Sequence, residues 1–99
     1  MENVSNALKI VLEDWKMVQE TEGDEGEEAA ERFEMHFYQF IDEFKLWFKS
    51  LDQPPQTLEE LEEMDEVKSI QQLLPDPLQL NFMTEMEEII DGVETNRFD

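Results

Sequence analysis

The chain has 99 residues, of which 39% are hydrophobic, and its 27 acidic residues outnumber seven basic ones to give a net charge of −20. This charge argues against direct binding of nucleic acid or of an anionic membrane, because both surfaces attract Lys and Arg. The absence of cysteine excludes disulfides, thiol catalysis and cysteine-ligated metal sites.

The first segment, residues 3–19, has the spacing of an amphipathic helix. Ile10 and Leu12 broaden its apolar face. The central positions of that face are Val4, Ala7, Leu8, Val11, Trp15 and Val18. Residues 21–27, which read Thr-Glu-Gly-Asp-Glu-Gly-Glu, then combine two glycines with dense like charge, so we predict a loop there.

The second segment, residues 27–50, holds seven of the ten aromatic residues of the chain between Phe33 and Phe48. Most of them follow a seven-residue repeat, which predicts one long amphipathic helix with a buried aromatic stripe. Ile41 and Phe48 widen the stripe. The repeat positions are Ala30, Phe33, Phe37, Phe40, Phe44, Trp47 and Leu51. Pro54 and Pro55 end the helix.

Three apolar residues of this helix, Met35, Tyr38 and Leu46, lie off the stripe on a second line around Asp42. Two interpretations remain open for them. Either the helix is flanked on two sides by its own chain, or this line contacts a partner, for which Met and Tyr are suitable residues.

Residues 58–74 form the third predicted helix, opened by a capping box at Thr57 and Glu60 and with a kink near Asp65. Its apolar positions are Leu58, Leu61, Met64, Val67, Ile70, Leu73 and Leu74. Residues 75–77, Pro-Asp-Pro, predict a break between this helix and the next.

The fourth predicted helix spans residues 78–91, with Asp76 as N-cap, Pro77 at the first position and Gly92 as the C-terminal cap. An alternative start is Thr84, where Glu87 completes a second capping box. The apolar positions are Leu80, Met83, Met86, Ile89 and Ile90.

These segments predict an all-α fold: a small antiparallel bundle of about four helices built around the long aromatic second helix. We expect a single acidic helical domain over residues 1–93 and a flexible tail over 94–99. The alternative is a hairpin of the first two segments that dimerises, with the last two segments packing across it.

The sequence contains no motif typical of a catalytic or metal site, and we expect no catalytic, cofactor or metal site. His36 is the only histidine, and the residue three positions before it is Phe33, so the Glu-x-x-His motif of di-iron bundles is absent. The acidic stretch from Glu20 to Glu31 resembles a calcium loop in charge, but Gly26 comes one position too late for the sharp turn. The sequence therefore predicts a protein that is not an enzyme.

Two acidic runs, residues 20–31 and 59–66, contain no base. They serve solubility, or they imitate a phosphate backbone that occupies a basic groove, in which case Glu59, Glu60, Glu62 and Glu63 contact the partner. We expect a cytoplasmic protein–protein interaction module, with a homodimer as one form of it. The alternative is an acidic nucleic-acid mimic that blocks a basic nucleic-acid-binding protein. Neither hypothesis involves a membrane or direct contact with nucleic acid.

Overall fold

Residues 1–97 form five α-helices and contain no strand, which confirms the predicted all-α helical-bundle class. The computed structural model describes the backbone of residues 1–97 and the side chains of residues 1–92. The helices are α1 (Glu2–Glu20), α2 (Gly23–Lys49), α3 (Leu58–Glu63), α4 (Asp65–Leu73) and α5 (Asp76–Arg97). No helix within this described part is long and apolar enough to cross a lipid bilayer.

The helices group into two compact units, which divide between Phe48 and Lys49. The single domain expected over residues 1–93 stays a prediction. The flexible tail expected over residues 94–99 falls on positions whose side chains lie outside the described residues, and it also stays a prediction.

In the first unit, α1 and α2 form an antiparallel helical hairpin. The rings of Trp15 and Phe33 lie 5.3 Å apart between centroids, and the carboxylate of Asp14 contacts Nδ1 of His36. The buried residues of this unit are Val4, Leu8 and Val11 on α1, and Ala29, Phe37, Phe40, Ile41, Phe44 and Phe48 on α2. The aromatic stripe is therefore buried through its middle, as its spacing predicts.

The ends of the stripe differ from the seven-residue repeat. Ala29 is buried in place of Ala30, and Phe48 is more deeply buried than Trp47. A straight α-helix turns once every 3.6 residues, so its buried face drifts by about 20° per heptad away from a strict 3.5-residue spacing. The buried positions Phe37 and Phe48, eleven residues apart, fit three turns of such a helix.

The connection between α1 and α2 is shorter than predicted, because α2 begins at Gly23 and only two residues separate the helices. The expected loop over residues 21–27 is therefore wrong beyond Glu22. Gly23 has φ of +65°, a conformation that favours glycine. The amide of Gly26 donates to the Glu22 carbonyl at 3.3 Å. Acidic residues in the first turn of α2, Asp24 and Glu25, suit the positive end of the helix dipole.

In the second unit, the predicted third helix is two helices, because Met64 adopts extended backbone with ψ of 136° between α3 and α4. The break lies beside the kink expected near Asp65. Thr57 is confirmed as the N-cap of α3, because the amide of Glu60 donates to Oγ1 of Thr57 at 3.1 Å. The carboxylate of Glu60 accepts from the Gln56 amide at 3.0 Å.

A side chain from α5 satisfies the end of α4. Nε2 of Gln79 donates to the carbonyls of Gln71 and Leu74, each at 2.9 Å. Carbonyls at the C-terminal end of a helix have no intrahelical partner, and Gln79 supplies one. Helix α3 packs against both α4 and α5. The buried residues of this unit include Leu61, Val67, Ile70, Leu74, Leu78, Phe82, Met86 and Ile90.

Several predicted details of this unit need correction. Helix α5 includes Asp76 and continues past Gly92, which has no positive φ and therefore does not act as a left-handed cap. The alternative start at Thr84 is wrong, since its hydroxyl donates to the Leu80 carbonyl within a continuous helix. Leu73 and Leu80, which were expected on apolar faces, are 60% and 68% exposed.

Candidate interaction surface

The outer side of α2 carries the three residues that the sequence placed off the aromatic stripe. Met35, Tyr38 and Leu46 are 52%, 52% and 61% exposed. On a helical projection they lie away from the stripe that contains Phe40 and Phe44. Packing against their own chain therefore does not account for these large apolar side chains. Their contact with a partner stays a prediction.

Helix α1 adds two exposed apolar residues, Ile10 and Met17, each 43% exposed. We expected Ile10 to broaden the buried face of α1, and its exposure corrects that expectation. Met17 was not singled out from the sequence. The available signal was its position seven residues after Ile10, which places both side chains on the same side of a helix.

A shallow groove of about 420 Å³ joins the two helices on this side of the hairpin. It is lined by Asn3, Asn6, Ala7 and Ile10 from α1 and by Gln39, Asp42 and Glu43 from α2. Met35 lies one turn before Gln39, and Leu46 lies one turn after Asp42. Ile10, Met17, Met35 and Leu46 therefore share one side of the hairpin, which we call the hairpin face.

Carboxylates border the hairpin face. Asp42 and Glu43 line the groove, and neither makes an ion pair with a basic side chain among the described residues. A second depression, of about 340 Å³, is lined by Met35 together with Glu28, Glu31 and Arg32. The groove and the second depression, which also include the exposed residues Ile10 and Met35, are thus lined by four acidic residues and one arginine. The charge that borders the hairpin face is therefore net negative.

His36 and Asp14 connect the two helices on the same side of the hairpin. Both side chains are partly buried, with 23% of the histidine and 13% of the aspartate exposed. Within the described residues, no group of three or more His, Cys, Asp and Glu side chains is arranged to hold a metal ion. The contact between His36 and Asp14 joins α1 to α2 within the hairpin.

The four acidic residues singled out on α3 do not form a uniform array. Glu59 and Glu63 are exposed, Glu62 is half-buried, and the carboxylate of Glu60 is engaged in the cap with the amide of Gln56. The other acidic run lies largely on the first turns of α2. Its exposed members there are Asp24, Glu25, Glu27, Glu28 and Glu31.

Comparison of the chain with protein-family models, curated protein sequences and solved structures finds no significant match. Its function must therefore be inferred from its own residues. Among those described, the hairpin face combines exposed apolar side chains, a groove and an unpaired acidic border, which makes it the candidate functional site.

Proposed function

We propose that this chain is a non-enzymatic, acidic helical module that acts in the cytoplasm by binding another protein through the outer side of α2. The observation that supports this proposal is the exposure of Met35, Tyr38 and Leu46 on a helix whose opposite side is buried. Met and Tyr are among the residues enriched at protein interfaces.

Each of these three residues would contribute a modest free energy to binding. Full burial of a large apolar side chain is worth about 1.5–3 kcal/mol, and each of the three is roughly half exposed, so a partner gains about 1 kcal/mol from each. Association costs about 4–15 kcal/mol in lost freedom. Three side chains on α2 are therefore insufficient alone, and the interface must extend to neighbouring residues.

Affinity capture from the native host's lysate tests the proposal. The bait is the whole chain, compared with a variant in which Met35, Tyr38 and Leu46 are all alanine. A matched control, Leu73→Ala with Leu80→Ala, removes exposed apolar residues from the second unit. We expect at least one protein to be retained by the unaltered chain and by the control, and to be lost by the α2 variant. Identical captured sets for all three baits would contradict the proposal.

A second candidate, an acidic nucleic-acid mimic, draws support from the exposed carboxylates on the first turns of α2. Because this segment is helical and not a loop, its carboxylates are held at fixed spacing along one rod. A complex of this kind depends on charge and weakens steeply with added salt. Reversing the charge of Glu27, Glu28 and Glu31 should abolish it, while the same change at Glu59 and Glu63 tests the run on α3. Binding that survives both changes would exclude this candidate.

A homodimer is one form that the module could take. Two copies would bring together two chains of −20 charge, which repel one another. Sedimentation equilibrium at low and at high salt tests this form: a dimer held by apolar contacts should strengthen as salt screens the repulsion.

A further inference from the structure

The hairpin face has the length and shape to receive a helix. Met35 and Leu46 are eleven residues apart on α2, which is about 16 Å along the helix axis. Ile10 and Met17 cover about 10 Å along α1. Because the groove joins Ile10 to Gln39 and Asp42, these two apolar rows lie on the same side of the hairpin. Helices that dock in a groove present apolar residues at i, i+3, i+4 and i+7, and three turns of such a helix match this length.

The charge around the face selects among the helices that could lie there. Asp42 and Glu43 line the groove without a basic partner among the described residues, and Glu28 and Glu31 surround Met35 together with one arginine. A basic helix would pair its Lys and Arg residues with these carboxylates. A second copy of this chain would bring further negative charge to the same border.

We infer that the hairpin face is a docking site for a basic amphipathic helix of another protein. Apolar residues of that helix pack on Ile10, Met17, Met35 and Leu46, and its Lys and Arg residues face Asp42, Glu43, Glu28 and Glu31. The inference depends on the proposed function, to which it adds the chemistry of the partner and the participation of α1.

Model peptides test the chemistry directly. The probe is a helical peptide of about 18 residues with leucine on one face and lysine on the other. One comparison peptide replaces every lysine by glutamate, and another has the same leucine and lysine composition in a scrambled, non-amphipathic order. The full chain carries isotope-labelled methionine methyl groups, so that its six methionines report separately. We expect the amphipathic basic peptide to shift the Met17 and Met35 signals and to leave those of Met64, Met83 and Met86 in place.

Variants locate the site. Ile10→Gln with Met17→Gln alters the α1 side, and Met35→Gln with Leu46→Gln alters the α2 side. Leu73→Gln with Leu80→Gln is the control pair, which removes two exposed apolar residues from the second unit. Each hairpin-face pair should weaken peptide binding by roughly tenfold or more, and the control pair by less than about twofold. Since all these residues are exposed, the variants should keep the helical circular dichroism of the unaltered chain.

Four results would overturn the inference. Equal binding of the scrambled peptide would show attraction by charge alone. Equal weakening by the control pair would place the contact elsewhere. Met17 and Met35 signals that change on dilution without any peptide would identify a second copy as the occupant. If no peptide binds but a captured protein still depends on Met35 and Leu46, the inference fails while the proposed function stands; if capture also fails, both fall.

Discussion

The indole ring of Trp15 on α1 lies 5.3 Å from the phenyl ring of Phe33 on α2, tilted by 53°. The contact lies near the end of the hairpin at which the chain reverses. Phe33 also lies 6.0 Å from Phe37, so the ring of α1 extends a series of ring contacts along α2. The two helices are thus joined close to their connection by aromatic packing.

A double-mutant cycle on this pair measures how strongly the two helices are coupled. Tilted aromatic pairs contribute about 0.5–1.5 kcal/mol beyond the area that they bury. We expect Trp15→Leu and Phe33→Leu to be non-additive by that amount in urea unfolding. The control cycle combines Trp15→Leu with Leu46→Ala, which is exposed and more than three turns away from Phe33 along α2. Additivity in the first cycle would show that the rings do not interact.

The buried stripe predicts a large effect of truncation at its centre. Phe40 and Phe44 are fully buried, so Phe40→Ala or Phe44→Ala should each lower the free energy of unfolding by about 3–5 kcal/mol. Tyr38→Ala should lower it by about 1 kcal/mol, because the Tyr38 ring is 52% exposed and its edge contact is with Phe37, at 5.9 Å between centroids. Thermal and urea unfolding supply the measurement. Similar effects at positions 38 and 40 would mean that the stripe is not the core.

The hydrogen bond between His36 and Asp14 should contribute to stability despite its partial exposure. Asp14→Ala removes the acceptor and should cost about 1 kcal/mol in urea unfolding. Its neighbour provides the control: Glu13 is exposed, and Glu13→Ala removes the same charge without breaking this bond. A loss at position 13 as large as that at position 14 would show that the effect is due to charge and not to the bond.

The cap of α3 offers a conservative comparison. Oγ1 of Thr57 accepts a hydrogen bond from the Glu60 amide, so Thr57→Ala should lower the free energy of unfolding by about 0.5–2 kcal/mol. Thr57→Ser keeps a hydroxyl oxygen at the same position and should retain most of the stability. If serine and alanine behave alike, the hydroxyl does not cap the helix.

Two glycines should respond to alanine in opposite directions. Gly23 has φ of +65°, where an alanine side chain costs roughly 1–2 kcal/mol. Gly92 lies inside α5 with open space around the position of a β-carbon, and Gly92→Ala should stabilise the chain by about 0.5–1 kcal/mol. Paired melting curves of the two variants check the signs, and a shift in the same direction for both would contradict this assignment.

The sequence predicted the helices well where apolar spacing dominates. The central positions of the stripe, Phe37, Phe40 and Phe44, are buried. Apolar residues at helical spacing form one continuous face, and the helix removes that face from water by packing it against the rest of the protein. Pro54 and Pro55 correctly predicted that α2 ends before them, because proline cannot continue a helix.

Helix ends were harder to predict, because glycine has two opposite uses. Gly23 turns the chain and Gly92 does not, although an acidic residue precedes each of them in the sequence. The difference is the sign of φ, which depends on whether packing continues the helix beyond the glycine. The break at Met64 contains neither glycine nor proline, and only the irregular apolar spacing near Asp65 indicated it.

The candidate site was predicted in part. Met35, Tyr38 and Leu46 were found because they depart from a regular stripe. Ile10 was assigned to the wrong side of α1, because a short helix with many apolar residues has no sharp boundary between its faces. The groove that joins Ile10 to Asp42 depends on how two helices pair, which local periodicity does not encode.

Throughout residues 1–92, no polar or charged side chain is buried. A purely apolar interior selects for volume and hydropathy, and it imposes few demands on the identity of any one residue. Leucine, isoleucine and methionine, which are similar in volume, can therefore replace one another over evolutionary time with little loss of fold. Sequences that descend from a common ancestor with this fold would therefore keep the spacing of their apolar positions longer than the identity of the residues at those positions.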